Sequence, residues 1–497
     1  MRRTLILLLA LAAIALTAAG CGDSGSSGDA FDDSLGYMPK NTLAVVAIKT
    51  DPEDEQFKNI EKIVDKFPFA NQFKDRLKQG IEAGGTRASY EKDIKPLLGN
   101  DFVVGVPPEP AGSTGGDALP GDDNAYVLAW KTAGGDIEKL ISKSSKKAGE
   151  SEGATIYQDP DGSVNAIKDD VVIAAKTRPL LDAALKAHEG DDPYTEDDFN
   201  AGMEDLSQDA IIRVSGNVQT ILANDPDSAE AKKVPWVNGL RNFGATLSTA
   251  PDGVSVDFQL KTEGVTAEQS PLATGAASAP LVQRPGEVGV GIRNPAQLVN
   301  FAIDTAGKTD PDSMADKEKF EKALGVDLEQ DVLAQMSGNA SVSVSLDDKF
   351  AARADLKDAA AFEETLATIM KTLPKAERAT GDTPSQVQDA GDGLYTVTDE
   401  DGPTVIGIVS EKLVVASDAD RAKEIAAQST APVPNEKGAV VMSADPSAIV
   451  NKALEEQGNS GAAALIGPAL SSHLDVLSGS VEGQPDGLRG HLRLGVK

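Results

Sequence analysis

The sequence predicts an α+β fold of two related units, each a mostly antiparallel β-sheet covered on one face by helices. Three observations predict it. Short β-branched runs alternate with Asp-Gly turns, helical stretches carry single apolar stripes, and one series of elements occurs twice in the same order. The offset between the copies stays between 229 residues (Ala210 to Ala439) and 243 (Pro52 to Pro295), with order kept throughout.

Leu43 to Lys49 reads as the opening strand, answered by Val288 to Arg293 after Pro285. Asp51-Pro52 and Asn294-Pro295 then each open a helix, because proline suits the first helical turn. The first of these is expected over Glu55 to Phe67, with Phe57, Ile60, Val64 and Phe67 in one stripe. Asp93-Ile94 leads through Gly99-Asn100 into the strand Phe102 to Val106, as Asp331-Val332 leads through Gly338-Asn339 into Ser341 to Val344. The strand Tyr126 to Lys131 and a helix carrying Ile137, Leu140 and Ile141 match Phe350 to Leu356 and a helix carrying Phe362, Leu366, Ile369 and Leu373.

A strand meander follows in each copy, turning at Asp161-Gly162 and at Asp401-Gly402, where glycine supplies the positive φ of a tight hairpin. Helices are expected over Pro179 to His188 and Ala419 to Gln428. The strand Ala210 to Val214 pairs in the series with Ala439 to Met442, and closing hairpins turn at Asp252-Gly253 and Asp486-Gly487. The last strands alternate apolar and polar residues, as sheets with one wet face do.

The start of the chain carries an address. Arg2 and Arg3 precede an uncharged apolar run from Leu5 to Ala19, shorter than the about 20 residues that span a bilayer. The run ends in Ala18-Ala19-Gly20-Cys21, which resembles a bacterial lipobox, with Ala18 where that pattern prefers leucine. Residues 1–20 are therefore read as a lipoprotein signal peptide. Cys21, the only cysteine, is the lipidation site, its sulfur taking a diacylglyceryl group. Each buried methylene adds about 0.8 kcal/mol, so two or three palmitate-class chains hold the protein on the extracytoplasmic face of a membrane. Residues 21–34, opening in Gly22-Asp23-Ser24-Gly25-Ser26-Ser27-Gly28, read as a flexible tether. The first unit is assigned to 35–262, a mobile linker to 263–284 and the second unit to 285–497. The Pro/Gly-rich stretch 107–124 reads as a loop.

Composition narrows the function. The net charge of −31 argues against nucleic acid, whose affinity rests on cationic side chains meeting phosphates. The acids are spread along the chain, which reads as solubility through self-repulsion. Aromatic residues are only 4%, too few for sugar-stacking platforms to dominate.

Leu35 to Thr50 (LGYMPKNTLAVVAIKT) and Asp93 to Val106 (DIKPLLGNDFVVGV) resemble a bacterial family known as domain of unknown function 3352, over most of residues 31 to 497. The family's acidic–apolar–Lys–Pro–bulky–Leu–Gly stretch is Asp93 to Gly99 here, with Leu97 at the usually aromatic position. The resemblance implies an exported or membrane-attached protein and no assigned reaction.

No catalytic or metal site and no cofactor is called. His188 ends a helix, where a cation suits the dipole. His491 alternates in the last strand, and neither pairs with His473 at metal-ligand spacing. Asp159-x-Asp161-Gly162 and Asp310-x-Asp312-x-x-x-Asp316 resemble calcium loops but lack the EF-hand glutamate. Trp236, beside Lys232 and Lys233, is the candidate partner contact, set against the ordinary role of a core plug. The leading reading is a non-enzymatic binding or structural protein at the cell envelope, its partner an envelope protein or ligand and its main concavity an apolar groove. Alternatives are a hydrophobic-cargo or lipid carrier, marked by a dry cavity, and a carboxylate-based envelope hydrolase, marked by paired acids in a cleft.

Overall fold

Residues 27–72, 74, 89–108, 126–190, 192–225, 228–336, 338–456 and 462–497 are described in a computed structural model. The leader, Cys21 and nearly all of the loop 107–124 lie outside the described residues. The described chain divides into two compact units: residues 27–225 with 241–261 and Lys497, and residues 228–240 with 262–496.

In the first unit the β-branched runs become β1 (Ala44–Ile48), β2 (Phe102–Val106), β3 (Val127–Lys131), β4 (Lys146–Ser151) and β5 (Ala154–Gln158). After these come β6 (Val164–Lys168), β7 (Val171–Ala175), β8 (Ile212–Asn217), β9 (Leu240–Ala250) and β10 (Gly253–Thr262). The strands stand in the order 4-5-6-7-3-2-1-8-9-10, and the pairs from β4 to β9 are antiparallel. Val45 sits opposite Gly105 on one side and Ser215 on the other.

Helices and turns pack on both faces of this sheet, correcting the expectation of cover on one face. Val45, Ala47, Val103, Ala129 and Ile173 meet the helices Ser27–Leu35, Arg178–His188 and Glu196–Met203 on one side. Leu128, Trp130 and Ala174 meet the turns Tyr90–Ile94 and Lys95–Leu97 and the helix Ile137–Ile141 on the other. The reason lies in β3 and β7, apolar at consecutive positions: Val127 to Trp130 and Val171 to Ala175 are all buried, which demands two dry faces.

The Asp93–Gly99 stretch forms the cap of that second face. Asp93 accepts the Ser89 N–H at 2.8 Å and Leu97 is fully buried. Gly99 has φ +140°, and a Cβ there would lie 2.9 Å from that of Ala133, so only glycine fits.

Three local expectations change. Residues 27–35 form a packed helix instead of tether, because Phe31 packs edge-on to Phe199 (5.3 Å) and Leu35 is fully buried. Pro52 does not open a helix: Asp51 accepts the Glu53 N–H at 2.9 Å in a turn, and Asp54 caps the helix Glu55–Asp65. That helix buries Phe57 and Ile63 with Gln56 and Asn59, while Val64 and Phe67 stay half-buried. The polar pair is drawn in by β9, where Thr249 N–H donates to Gln56 Oε1 (2.7 Å) and its carbonyl accepts from Asn59 Nδ2 (3.1 Å).

The second unit holds β11 (Glu287–Arg293), β12 (Asn339–Ser345), β13 (Phe350–Asp355), β14 (Gln386–Gly391) and β15 (Leu394–Asp399). It continues with β16 (Gly402–Val409), β17 (Lys412–Ala416), β18 (Val440–Ala444), β19 (Leu474–Gln484) and β20 (Gly487–Val496). Their order is 14-15-16-17-13-12-11-18-19-20, all antiparallel. Again both faces are covered. Leu394, Val405 and Val414 meet the helix Ala419–Ala427, whereas Val397, Ile406 and Leu413 meet the helix Ala359–Thr380. Buried Arg353 donates to the carbonyls of Ile425 (2.9 Å) and Gln428, completing the C-terminus of the first of these helices.

The stretch 263–284, expected as a linker, is part of this unit. Leu272, Ala279, Leu281 and Val282 are buried. Gly289 and Gly291 of β11 make room for it: a Cβ there would lie 2.8 Å from Val282 O and 2.7 Å from Pro280 O. Residues 228–240, assigned by sequence to the first unit, also belong here.

Candidate functional site

Trp236 stands on the short helix Pro235–Gly239, with proline at its start and a glycine at its end that has no room for a side chain. A Cβ at Gly239 would lie 2.3 Å from Val265 Cγ2, and the Gly239 carbonyl accepts the Glu263 N–H at 2.8 Å. The chain then turns through a capping box, Thr266 N–H donating to Gln269 Oε1 at 3.0 Å.

Two side chains fix that turn. Gln297 Nε2, on the helix Pro295–Thr309, donates to Ala267 O and Ser270 O, both at 3.0 Å. Arg293 donates to the carbonyls of Ala273 (3.1 Å), Thr274 (3.0 Å) and Gly275 (2.6 Å). The helix Pro295–Thr309 also carries Phe301, which meets the Trp236 ring edge-to-face at 6.0 Å. The turn between β19 and β20 closes the last side, Asp486 O accepting the Thr262 N–H at 2.7 Å.

These walls enclose a recess of about 180 Å³ without an ionisable side chain among its lining residues. Trp236 Nε1 and Ser270 Oγ, both on lining residues, are buried without a hydrogen-bond partner, and Ser270 is only 5% exposed.

A larger cleft of the second unit, about 390 Å³, is lined by Arg284, Glu287, Ser443, Asp445 and Asp475 among others. It is charged, because the stretch that crosses the β11 glycines carries Arg284 to Glu287. The Glu287 carboxylate accepts both Arg421 Nη1 and Nη2 at 3.1 Å, the Ser343 hydroxyl, and lies 3.5 Å from Arg284 Nε. Burial pushes Glu287 up, but the hydrogen bonds of Arg421 and Ser343 and the charges of both arginines outweigh it and hold the carboxyl below its ordinary range. Asp445 caps the helix Pro446–Glu456, accepting the Ser447 N–H at 2.9 Å. Glu287 and Asp445 thus have structural roles.

The acidic motifs are structural as well. Buried Asp159 accepts from Ser145, from Ser163 at 3.1 Å and from Asn165 at 3.2 Å, all within its hairpin region. Asp310 is the N-cap of a helix not foreseen from sequence, Pro311–Leu324, and Asp316 lies on it, paired with Lys319 at 2.7 Å. Among the described residues no group of three His, Cys, Asp or Glu is placed to hold a metal ion, and no helix is long and apolar enough to cross a membrane.

His473 bonds Ala469 O at 2.7 Å within its own helix, and His491 is half-buried on β20. His188 does not serve as a helix-end cation. Its ring stacks on buried Tyr37 at 4.0 Å, and burial, with Lys168 nearby, pushes its pKa down against the opposing charges of Glu189, Asp33 and Asp169. A depressed histidine is neutral when folded and protonates first in the unfolded chain. The first unit is therefore expected to lose stability as pH falls below the ordinary value of 6.5. Denaturant titrations followed by Trp130 emission between pH 7.5 and 5.5 check this, and His188→Gln should flatten the dependence.

Sequence reasoning found Trp236 but missed Ser270, Arg293, Gln297 and Phe301, which shape its recess. Two signals were present: the Thr266-x-x-Gln269 capping box inside the supposed linker, and the Gly289-x-Gly291 pattern that lets the stretch pack.

No curated protein matches the chain. Two crystal forms of TP0453, III and I, are similar at 10% and 9% identity over 47% of this chain and 81% and 80% of theirs, with TM-scores of 0.26 and 0.25. The family model described as protein of unknown function (DUF3352) matches residues 3–383, starting earlier and ending sooner than the sequence resemblance. With that match spanning most of its length, the chain belongs to the DUF3352 family.

Proposed function

We propose that the chain is a lipid-anchored, extracytoplasmic binding protein without covalent chemistry of its own, built of two related α+β units and contacting its envelope partner at the recess beside Trp236. The sequence supports the anchor: a signal-like run ends at Cys21, whose acylation holds the body on the membrane.

Duplication is supported by a rare feature. In each unit a π-helical turn runs into a 3₁₀ turn before the second strand: Tyr90–Ile94 into Lys95–Leu97, and Leu328–Val332 into Leu333–Gln335. π-helical residues are well under 1% of proteins, so two such pairs at corresponding places favour common origin over coincidence. The order of ten strands is the same in both units, and β4–β5 and β14–β15 each carry a register shift.

The observation that carries the binding reading is an uncharged recess of about 180 Å³ beside Trp236, on a protein of net charge −31, with its turn fixed by Gln297 and Arg293. Buried carboxylates elsewhere are already met by the protein's own donors, as Glu436 is by Ser478 (2.6 Å) and Ser480 (2.9 Å).

A photo-crosslinking residue at Thr266 in intact cells tests the reading. A discrete adduct is expected that a probe at exposed Lys147 does not give and that Trp236→Ala abolishes. Equal labelling at both positions, or an adduct indifferent to Trp236, would count against the site.

A further inference from the structure

We infer that an apolar sheet face of the second unit takes the acyl chains of a zwitterionic membrane phospholipid. The site is separate from the Trp236 recess and rests on the anchored reading only for its supply of lipid.

Strand register defines the face. Leu492, Gly479, Met442, Val290, Val342 and Ala352 lie side by side in one row across β20, β19, β18, β11, β12 and β13. The rows on either side run from Leu494 to Phe350 and from Gly490 to Ala354, and both are apolar at every position. Val290, Val342 and Met442 are half-buried, while Leu492 and Val344 are 37% and 39% exposed. On the opposite face residues 279–282 cross Gly289 and Gly291.

Cover on the apolar side stops short. The helix Ala359–Thr380 dries it over β15 to β17, at Tyr395, Ile406 and Leu413, and that cluster includes no residue of the three rows. The other unit shows what is missing. There Phe57 and Ile60, on the helix after β1, pack on Ile212 and Leu247 of the corresponding face. The helix after β11, Pro295–Thr309, buries only Pro295 and Ala296 and leaves Val299 37% exposed.

Size selects the occupant. At about 4.8 Å between strands and 3.4 Å per residue, three rows over six strands measure roughly 24 by 14 Å. That is about 330 Å², well under the roughly 800 Å² per partner of a stable dimer, so a second copy does not fit. One acyl chain spans half of the bilayer's roughly 30 Å core, about 15 Å, and lies within the length of the face. Side chains without a donor or acceptor match hydrocarbon, whereas a peptide would bury amides with nothing to pair them. The net charge of −31 repels an anionic fatty acid and leaves a zwitterionic lipid free to approach. Supply agrees: Cys21 lies six residues before Ser27, a reach of at most about 21 Å, so its acylation keeps the body beside the bilayer.

The test places the full mature chain in phosphatidylcholine vesicles holding a trace of phosphatidylcholine with a diazirine at the end of one acyl chain. After irradiation, mass spectrometry is expected to find adducts on Met442, Val290 and Val342. Palmitate carrying the same diazirine should give at most about a fifth of that labelling. Leu492→Lys with Val344→Lys, both at exposed positions, should cut the phospholipid labelling at least about fivefold, with urea unfolding read by Trp236 emission as in the parent. If the lysines shift that unfolding, Leu492→Thr with Val344→Thr takes their place, since threonine suits a strand, and a loss of at least about threefold is expected.

Adducts at Leu492 and Val344 alone mean that the face merely touches the bilayer, and equal labelling by palmitate means another lipid. Either result overturns the assignment, as does labelling indifferent to the substitutions. Absence of adducts from Met442, Val290 and Val342 sinks the lipid site whatever the state of Cys21, whereas adducts on a chain with unacylated Cys21 sink the anchor alone.

Discussion

Replacing Arg213 with methionine is expected to cost the first unit about 3–5 kcal/mol, the scale of a buried ion pair that loses one member. Arg213 is 8% exposed on β8, ion-paired to Asp101, 3.2 Å from Gln208 Oε1, and stacked over Phe31 (4.7 Å) and Phe199 (5.5 Å). It therefore ties the helix Ser27–Leu35, the helix Glu196–Met203 and the start of β2 to one guanidinium. Without it the Asp101 carboxylate, 13% exposed, keeps its charge and loses its partner. Urea unfolding read by Trp130 emission measures the loss. Asp101→Asn added to Arg213→Met should recover part of it by removing the stranded charge. A single-variant loss below about 1 kcal/mol would show that the pair is a surface-like contact of little weight.

Glu287→Gln is the second large effect, expected to cost the second unit about 3 kcal/mol, because Arg421 at 11% exposure is left charged against a neutral amide. The pH dependence carries its own sign. Glu287 is held below its ordinary 4.5, so it contributes stability that is present above that value and is lost as pH falls through it toward the folded pKa. Unfolding titrations read by Trp236 emission should show this acid loss in the parent protein and a flatter profile in the variant. An unchanged profile would mean that Arg421 and Ser343 do not hold the carboxylate ionised.

Local signals in the sequence reached far into the fold. The turns at Asp161-Gly162 and Asp401-Gly402 form with φ of +91° and +119° at the glycines. The helices expected over 179–188 and 419–428 appear as Arg178–His188 and Ala419–Ala427. Each is governed by neighbours a few residues apart in the chain. What failed depends on partners far away. Gln56 and Asn59 turn inward only because β9 offers a backbone nearly 200 residues later. Residues 263–284 look like a linker until β11 presents glycines to pack on. The helix Ser27–Leu35 reads as tether until Phe199 and Arg213 arrive to cover Phe31.

The candidate site follows the same rule. Trp236 was visible as an isolated aromatic near two lysines, but its recess is built by Gln297, Arg293 and Phe301 from a later strand and helix, and no short motif joins them. The lysines themselves do not line it.

Mass spectrometry of the native N-terminus addresses the anchored binding protein most directly. The expected species begins at Cys21, carries a diacylglyceryl thioether, and lacks residues 1–20. A free thiol at Cys21, or a chain that still begins at Met1, would contradict it and leave the binding recess without its place on the membrane.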